Sequence, residues 1–246
     1  MLRGVRVALI SDQHGNDVAF AAAAAEIERV GVDEIICLGD VAQGGAQPAE
    51  TLDRLRGLGC ATVMGNADAF LLEPPADSPE PVTVRQLEVR EWTLSQLDSS
   101  HLDFLRSFQP TVRREYAGVA ALLFHGSPRS YDDILLPESQ EVELVPYRGH
   151  GADLLAGGHT HTQWTRRIDG ALFVNPGSVG LAYDHFQWGG ELEVRPVAQY
   201  ALVAVDEAGL AVELRQVPYS TAAVRAAAEA GGRPYAAEWA GQWDRA

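Results

Sequence analysis

The chain has 246 residues, of which 46% are hydrophobic and 22% are charged, as in ordinary folded globular proteins. Its net charge of −15 argues against broad binding to nucleic acids, although bound divalent cations would still allow an anionic substrate. No apolar run approaches the ~20 residues of a membrane span, and the two cysteines form no CxxC pair. We therefore expect a cytoplasmic protein with reduced thiols and no membrane partner.

The first part of the chain alternates short apolar runs with helical segments. Val5–Ile10 is rich in branched residues and predicts a buried strand, and the alanine-rich residues 18–30 predict a helix. A second strand at residues 34–38, a helix at Pro48–Leu58 and a third strand at residues 61–64 continue the pattern. This alternation predicts parallel strands joined by right-handed crossovers.

The rest of the chain predicts further elements of the same domain. A proline-rich loop at residues 73–81 and helices at residues 84–97 and 101–108 predict a helical insertion over residues 70–110. Later elements are apolar runs at residues 119–124, 153–156 and 171–174, a helix at residues 142–150, a β-hairpin at residues 199–205 and 210–217, and a helix at residues 221–229. We see no repeat or domain boundary, and we expect a single domain over residues 1–246.

Five apolar runs end directly in residues that bind divalent metals. These residues are Asp12, His14, Asp40, Asn66, His125, His159 and His161. In open α/β sheets, ligands bind at the carboxyl ends of the strands, which is where all seven lie. Imidazole, carboxylate and amide oxygen suit Mn, Fe, Zn, Ni or Mg, and the absence of cysteine argues against a structural zinc site. Seven ligands exceed one tetrahedral site and suit two adjacent metals that share a carboxylate.

Each residue also has an ordinary explanation when it is taken alone. Asp12 is placed to satisfy free N–H groups at a helix N-terminus, and Gly65-Asn66 is common turn chemistry. His159 and His161 can be read as loop histidines, and His125 taken alone decides nothing, since only its position at a strand end gives it weight. The joint occurrence of the motifs favours metal ligation.

The motifs Asp12-Gln13-His14, Gly39-Asp40, Gly65-Asn66, His125-Gly126 and Gly158-His159-Thr160-His161 resemble, in this order, those of the calcineurin-like metallophosphoesterase superfamily. Residues 11–16 and 175–180 are similar to segments of its small bacterial and archaeal phosphodiesterase branch. The resemblance spans residues 5–180, and the late hairpin also fits it.

The resemblance implies a four-layer α/β/β/α sandwich of two mixed sheets flanked by helices, with a dinuclear metal site at one edge. It assigns Asp12, His14 and His161 to the first metal, and Asn66, His125 and His159 to the second. Asp40 would bridge the two ions together with a water or hydroxide that attacks phosphorus. Asp40, Asn66 and His125 are the implied catalytic residues. We expect manganese first, with Fe, Zn, Ni and Mg left open.

One position departs from the pattern of the family. Many members follow the ligand asparagine with a histidine that protonates the leaving group or binds phosphate, and this chain has Ala67 there. General-acid catalysis contributes ~10²–10⁴-fold, so its loss would slow hydrolysis without abolishing it. Asp68 is expected to orient a neighbouring group rather than to bind metal.

The substrate is expected to be a small phosphodiester, phosphomonoester or nucleotide, and the resemblance favours phosphodiesters. Arg129 is a candidate phosphate clamp, although a solvated loop arginine explains it equally well. Phe186 and Trp188 are candidates for stacking on a nucleotide base. The alternative function is a non-catalytic scaffold, as in a retromer subunit of this fold. Ala67 keeps the scaffold open, whereas the retained ligand set favours an enzyme.

Overall fold

The computed structural model describes residues 4–74, 82–183 and 194–243. The strands are β1 (Val5–Ile10), β2 (Glu34–Cys37), β3 (Ala61–Thr62), β4 (Val112–Tyr116), β5 (Val119–Leu123), β6 (Leu154–Ala156), β7 (Gln163–Ile168), β8 (Ala171–Pro176), β9 (Val197–Asp206) and β10 (Gly209–Pro218). The helices are α1 (Asp17–Val30), α2 (Pro48–Leu58), α3 (Asn66–Leu72), α4 (Val84–Ser95), α5 (Ser99–Arg106), α6 (Thr221–Gly231) and α7 (Ala236–Ala240). None of these helices is long and apolar enough to cross a membrane.

The first sheet has the strand order β10-β9-β1-β2-β3. The first three strands of the chain pair in parallel, with Val7 opposite Glu34 and Ile36 opposite Ala61, as the alternation of strands and helices predicts. The hairpin of β9 and β10 adds to β1 in the antiparallel direction. The carboxyl ends of β1, β2 and β3 therefore lie along one edge of the sheet.

The second sheet has the strand order β4-β5-β6-β8-β7. Strands β5, β6 and β8 run parallel to one another, while β4 and β7 pair in the antiparallel direction at the two edges. The two mixed five-stranded sheets, flanked by helices, are the architecture that the sequence resemblance implies.

Strand β1 is buried on both faces, which explains its unbroken apolar sequence. Val7 and Leu9 pack in the cluster between the two sheets, which also contains Val203 of β9 and Leu154 of β6. Ala8 and Ile10 point the other way and pack under helices α1 and α2. Because side chains alternate along a strand, one short segment contributes to two cores.

The helix predicted at residues 142–150 is wrong. These residues form turns with one 3₁₀ turn at Val145–Tyr147. Pro146 has no N–H to continue a helix, and Gly149 takes a positive φ of 73°. The segment nevertheless packs on the outer face of the second sheet, because Leu144 and Tyr147 join the cluster around Phe124 and Phe173.

Several short elements have no counterpart in the sequence prediction. Strand β4 buries only Val112 and Tyr116 and exposes charged residues between them, and β7 is another edge strand with two arginines.

The third strand is shorter than predicted, and Asn66 begins helix α3 rather than a loop. Helices α4 and α5 lie in the predicted insertion.

Candidate metal centre

The strand ends of both sheets bring the predicted ligands together. The structure contains two groups of side chains whose ligand atoms lie within 4.8 Å of one another inside each group. The groups are Asp12, His14 and His161, and Asp40, His125 and His159. Each combines residues from both sheets, so the site lies where the carboxyl ends of the two sheets meet.

The first group has short distances between its donor atoms. His14 Nε2 and His161 Nε2 lie 3.0 Å apart, and His161 Nε2 lies 3.3 Å from Asp12 Oδ1. His14 Nε2 lies 3.8 Å from the same carboxylate oxygen. All three donors therefore face a common point.

The second group includes Asn66 as well. His125 Nε2 lies 3.3 Å from Asp40 Oδ2 and 3.0 Å from Asn66 Oδ1. The rings of His125 and His159 lie 5.1 Å apart between centroids. Asn66 therefore presents its amide oxygen to this group, as the Gly-Asn motif predicts.

Asp40 lies between the two groups. Its Oδ2 is 3.6 Å from His14 Nε2 and 3.3 Å from His125 Nε2. Its other oxygen, Oδ1, accepts a hydrogen bond from the backbone N–H of Ala67 at 2.8 Å. This hydrogen bond fixes the carboxylate so that Oδ2 faces both groups.

Backbone carbonyls orient three of the four histidines. The Nδ1 atoms of His14, His125 and His161 lie 2.8, 2.7 and 2.9 Å from the carbonyl oxygens of Gln43, Leu38 and Leu181, respectively. Because a carbonyl only accepts hydrogen bonds, Nδ1 carries the hydrogen and donates. The lone pair of Nε2 is then directed at the site, as a metal ligand requires.

Asp68 holds the backbone around Asp40. Its carboxylate accepts hydrogen bonds from the N–H groups of Asp40 at 2.7 Å, Val41 at 2.9 Å and Gly65 at 3.2 Å. Burial and the nearby Asp40 carboxylate raise the pKa of Asp68 to about 7, although the three N–H donors favour its charged form. The orienting role expected for Asp68 agrees with these contacts.

The backbone is strained at this site. Five of the seven candidate ligands adopt a positive φ between 47° and 71°: Asp12, His14, Asp40, His159 and His161. Residues with a side chain rarely adopt this conformation, and clusters of such residues mark functional sites. The left-handed residue turns the chain sharply after each strand and directs the side chain toward the site.

Two motif glycines leave room that a side chain would fill. A Cβ at Gly65 would lie 2.0 Å from Asp40 Oδ1, and a Cβ at Gly158 would lie 2.7 Å from Asp12 Oδ2. The glycines before Asn66 and His159 are therefore required because the carboxylates pack directly against the backbone.

The charged groups of the site shift the pKa values of their neighbours. Burial opposes ionisation of Asp40, but the charge on His125 and the hydrogen bond to it hold the pKa of Asp40 well below its ordinary value. Burial alone would lower the pKa of His125, and the Asp40 carboxylate instead raises it to about 10. Burial and the charge on His125 lower the pKa of His159 to about 4. The buried carboxylates of Asp12 and Asp40 therefore favour positive charge between the two ligand groups.

The donor set fits divalent cations. Asp12 Oδ1 is buried and has no hydrogen-bond partner, although it faces His14 and His161. An unpartnered buried carboxylate oxygen is costly unless a cation binds it. Imidazole nitrogens and carboxylate and amide oxygens are the ligands that borderline and hard divalent metals prefer.

The structure does not bring Arg129 into the site. Its side chain is 66% exposed, and its Nε lies 2.7 Å from Asp133 Oδ2 in an ion pair. The expected phosphate clamp is therefore a partner of Asp133 on the loop after His125. Phe186 and Trp188, the candidates for base stacking, lie outside the described residues.

A groove of about 1030 Å³ opens beside the two groups, and His14, Asn66 and Ala67 form part of its wall. The other residues of this wall are not among those that the sequence predicts. The carbonyls that orient the histidines are not predictable either, because a backbone carbonyl has no signature in the sequence. The left-handed conformations likewise fall on Asp and His rather than on glycine, so composition gave no sign of them.

Comparisons with known proteins identify the family of the chain. The family model for the calcineurin-like phosphoesterase superfamily domain matches residues 5–194. The uncharacterized protein MJ0912 of Methanocaldococcus jannaschii is 28% identical over 180 residues, which cover 72% of this chain and 71% of that protein.

Solved structures share the fold. A metallophosphoesterase from Sphaerobacter thermophilus superimposes with a TM-score of 0.76 at 23% identity, over 98% of both chains. The hypothetical protein PH1004 from Pyrococcus horikoshii does so with a TM-score of 0.79 at 18% identity, over 97% of both chains. Vacuolar Protein Sorting 29 from Cryptosporidium parvum has a TM-score of 0.51 at 18% identity, covering 88% of this chain and 99% of its own.

The family match spans most of the chain and contains every strand end that contributes to the site. The motif order, the two mixed sheets and the two groups of ligands are consistent with it. The chain belongs to the calcineurin-like phosphoesterase superfamily.

Proposed function

We propose that the protein hydrolyses small phosphodiesters with the help of two divalent metal ions. The observation that carries this proposal is the position of Asp40 Oδ2, 3.6 Å from a nitrogen of one ligand group and 3.3 Å from a nitrogen of the other. A carboxylate between two groups is suited to bridge two cations. Manganese is the first candidate, with Fe, Zn, Ni and Mg as alternatives.

The candidate ligands form two sets, one for each ion. Asp12, His14 and His161 would hold one ion, and Asn66, His125 and His159 would hold the other, with Asp40 shared. Two such cations supply Lewis acidity toward phosphoryl oxygens and generate a nucleophile from water at neutral pH. The carbonyls of Gln43, Leu38 and Leu181 keep three imidazoles in the tautomer that binds metal.

The alanine that follows Asn66 predicts a preference for good leaving groups. Ala67 lies in the wall of the groove and has no proton to give to a departing alcohol. Because general-acid assistance is worth ~10²–10⁴-fold, esters of acidic alcohols such as p-nitrophenol should react far faster than alkyl esters.

Metal content and turnover test the proposal together. The purified protein is loaded with Mn²⁺, its bound metal is measured, and chromogenic phosphodiesters and phosphomonoesters are assayed. Two ions per chain with diester turnover, both reduced in Asp40→Asn and unchanged in Asp103→Asn, support it. Asp103 is the matched control because its side chain is 76% exposed and pairs with Arg106 on the surface. Turnover that persists in Asp40→Asn at the original rate contradicts it.

The alternative is a non-catalytic scaffold on the same fold, which the alanine at position 67 keeps open and the retained ligand set argues against. The same experiment separates the two functions. Bound metal without turnover of any ester, in protein that melts cooperatively, favours the scaffold.

A further inference from the structure

The groove beside the metal centre has an apolar wall. Met64 and Val82 line it, together with Phe70 and Leu72 of helix α3 and Tyr131 of the loop after His125. Tyr131 is 40% exposed, Phe70 is partly buried, and both side chains line the groove. Such a wall fits an apolar or aromatic group better than a hydrated one.

The charges of the groove are negative. Glu73 and Asp132 line it, and among its described lining residues there is no arginine or lysine. Both acids are exposed to solvent, so a bound molecule would meet them directly. An additional anionic group on a substrate would be repelled at this surface, whereas a cationic group would be attracted.

Two arginines near the groove make their hydrogen bonds and ion pairs with groups outside its lining or with the backbone of its wall. The guanidinium of Arg90 lies over the ring of Phe70, 5.8 Å from its centroid, and its Nε and Nη2 donate to the carbonyls of Phe70 and Leu71 at 2.7 and 2.8 Å. Arg129 is paired with Asp133. Neither guanidinium belongs to the groove lining.

We propose that the substrate is a phosphodiester whose second alcohol is apolar or aromatic and carries no further negative charge. This inference rests on the proposed function, and it narrows the substrate class of the same site. The metal centre takes the single charge of the diester, and the groove takes the alcohol between Phe70 and Tyr131. Nucleotides with additional phosphates place their charge against Glu73 and Asp132 and are poor substrates.

A matched set of substrates tests the proposal. Three p-nitrophenyl phosphodiesters share the leaving group and differ only in the para position of the second phenol, which bears hydrogen, carboxylate or trimethylammonium. Their kcat/KM values with the Mn²⁺-loaded protein are divided by their rates of alkaline hydrolysis, which removes the electronic effect of the substituent. We expect the carboxylate ester to be slower than the phenyl ester by about fivefold or more, and the trimethylammonium ester to be at least as fast.

Variants of the groove residues show whether the groove determines the relative kcat/KM values of the three esters. In Glu73→Gln/Asp132→Asn, the ratio of the cationic to the anionic ester should fall to within about twofold of one, because the repelling charges are gone. The control Glu50→Gln/Glu207→Gln removes two exposed acids outside the groove lining and should keep the original ratio. Metal content and melting temperature establish that both proteins are folded and loaded.

The outcomes distinguish the inference from the function on which it rests. Turnover of all three esters at equal rates, or fastest turnover of the carboxylate ester, overturns the inference and leaves the phosphodiesterase intact. An unchanged ratio in Glu73→Gln/Asp132→Asn also overturns it. Absence of turnover of every ester overturns the proposed function and the inference together.

Discussion

The guanidinium of Arg233 donates a hydrogen bond from Nε to the backbone carbonyl of Gly44 at 2.7 Å, although the two residues are 189 positions apart. The residue before Gly44 is Gln43, whose carbonyl accepts from His14 Nδ1. Arg233 is 8% exposed, and its guanidinium lies 5.2 Å from the ring centroid of Trp239. The chain beyond helix α6 therefore fixes the loop that orients a candidate metal ligand.

Replacing Arg233 should weaken metal binding. In Arg233→Met the apolar part of the side chain still packs against Trp239, but the Gly44 carbonyl loses its hydrogen-bond donor. The loop whose neighbouring carbonyl orients His14 then loses this support. We expect metal affinity to fall by about tenfold, the lower end of the effect of such supporting contacts. Competition with a chromophoric chelator measures it. Arg85→Met is the control, because Arg85 stacks on Tyr235 in the same region. Equal affinity in the two variants would refute the coupling.

The Asp68 carboxylate should matter for stability even without metal. Asn at this position offers one acceptor oxygen and places an NH₂ group against backbone donors of Asp40, Val41 or Gly65. Leaving a buried N–H unpaired costs about 1–3 kcal/mol, so Asp68→Asn should lower the free energy of unfolding by that amount. Urea denaturation of the metal-free protein measures the difference. A variant as stable as the parent would show that the three hydrogen bonds contribute nothing net.

Metal uptake should release a proton. Asp40 raises the pKa of His125 to about 10, above its unfolded value, so the proton on His125 stabilises the metal-free fold below about pH 6.5. That contribution is lost as the pH rises through the folded pKa. A metal ion must displace this proton, and its affinity should therefore increase with pH across the neutral range.

Calorimetric titration in two buffers of different ionisation enthalpy measures the number of protons released. At least one proton per chain at neutral pH is the expected result, the one displaced from His125, since His159 is already neutral there. Identical binding heats in the two buffers, or an affinity independent of pH, would contradict this assignment.

A polar contact between the two sheets should also be measurable. Glu34 of β2 accepts from Tyr116 Oη at 2.6 Å and from Arg114 Nε at 2.9 Å, both on β4 of the other sheet. Hydrogen bonds to charged groups contribute about 1.5–3 kcal/mol, so Tyr116→Phe should destabilise the protein within that range. The same substitution in a Glu34→Ala background should cost clearly less, because the acceptor of Tyr116 Oη is then absent and the cycle isolates the pair. Equal losses in both backgrounds would remove Glu34 from the explanation.

The sequence predicts those parts of the fold that depend on local pattern. The run Val5–Ile10 is apolar on both faces because it packs between two cores, and its burial is visible without coordinates. Strand β4 was missed because an edge strand exposes Arg113 and Glu115 and loses the apolar signature. Residues 142–150 were wrongly predicted as helical because their apolar residues pack from turns, where Pro146 and Gly149 stop a helix.

In the candidate site, too, some features could be predicted from the sequence and others could not. Its ligands were predictable because parallel strands bring their carboxyl ends to one edge, so residues after separate strands meet. The contacts that support these ligands were not predictable. Leu38 and Gln43 orient histidines through their backbone carbonyl oxygens, and Arg233 reaches the site from a distant segment of the chain. The negative groove depends on Glu73 and Asp132, which are 59 positions apart and have no shared motif.

Anomalous scattering from crystals of the Mn²⁺-loaded protein would locate the bound ions. Two peaks about 3.5–4 Å apart are expected, with Asp40 Oδ2 bound to both. One peak should have Asp12, His14 and His161 around it, and the other Asn66, His125 and His159. A single peak, or two peaks that do not share Asp40, would contradict the proposed pair of ions.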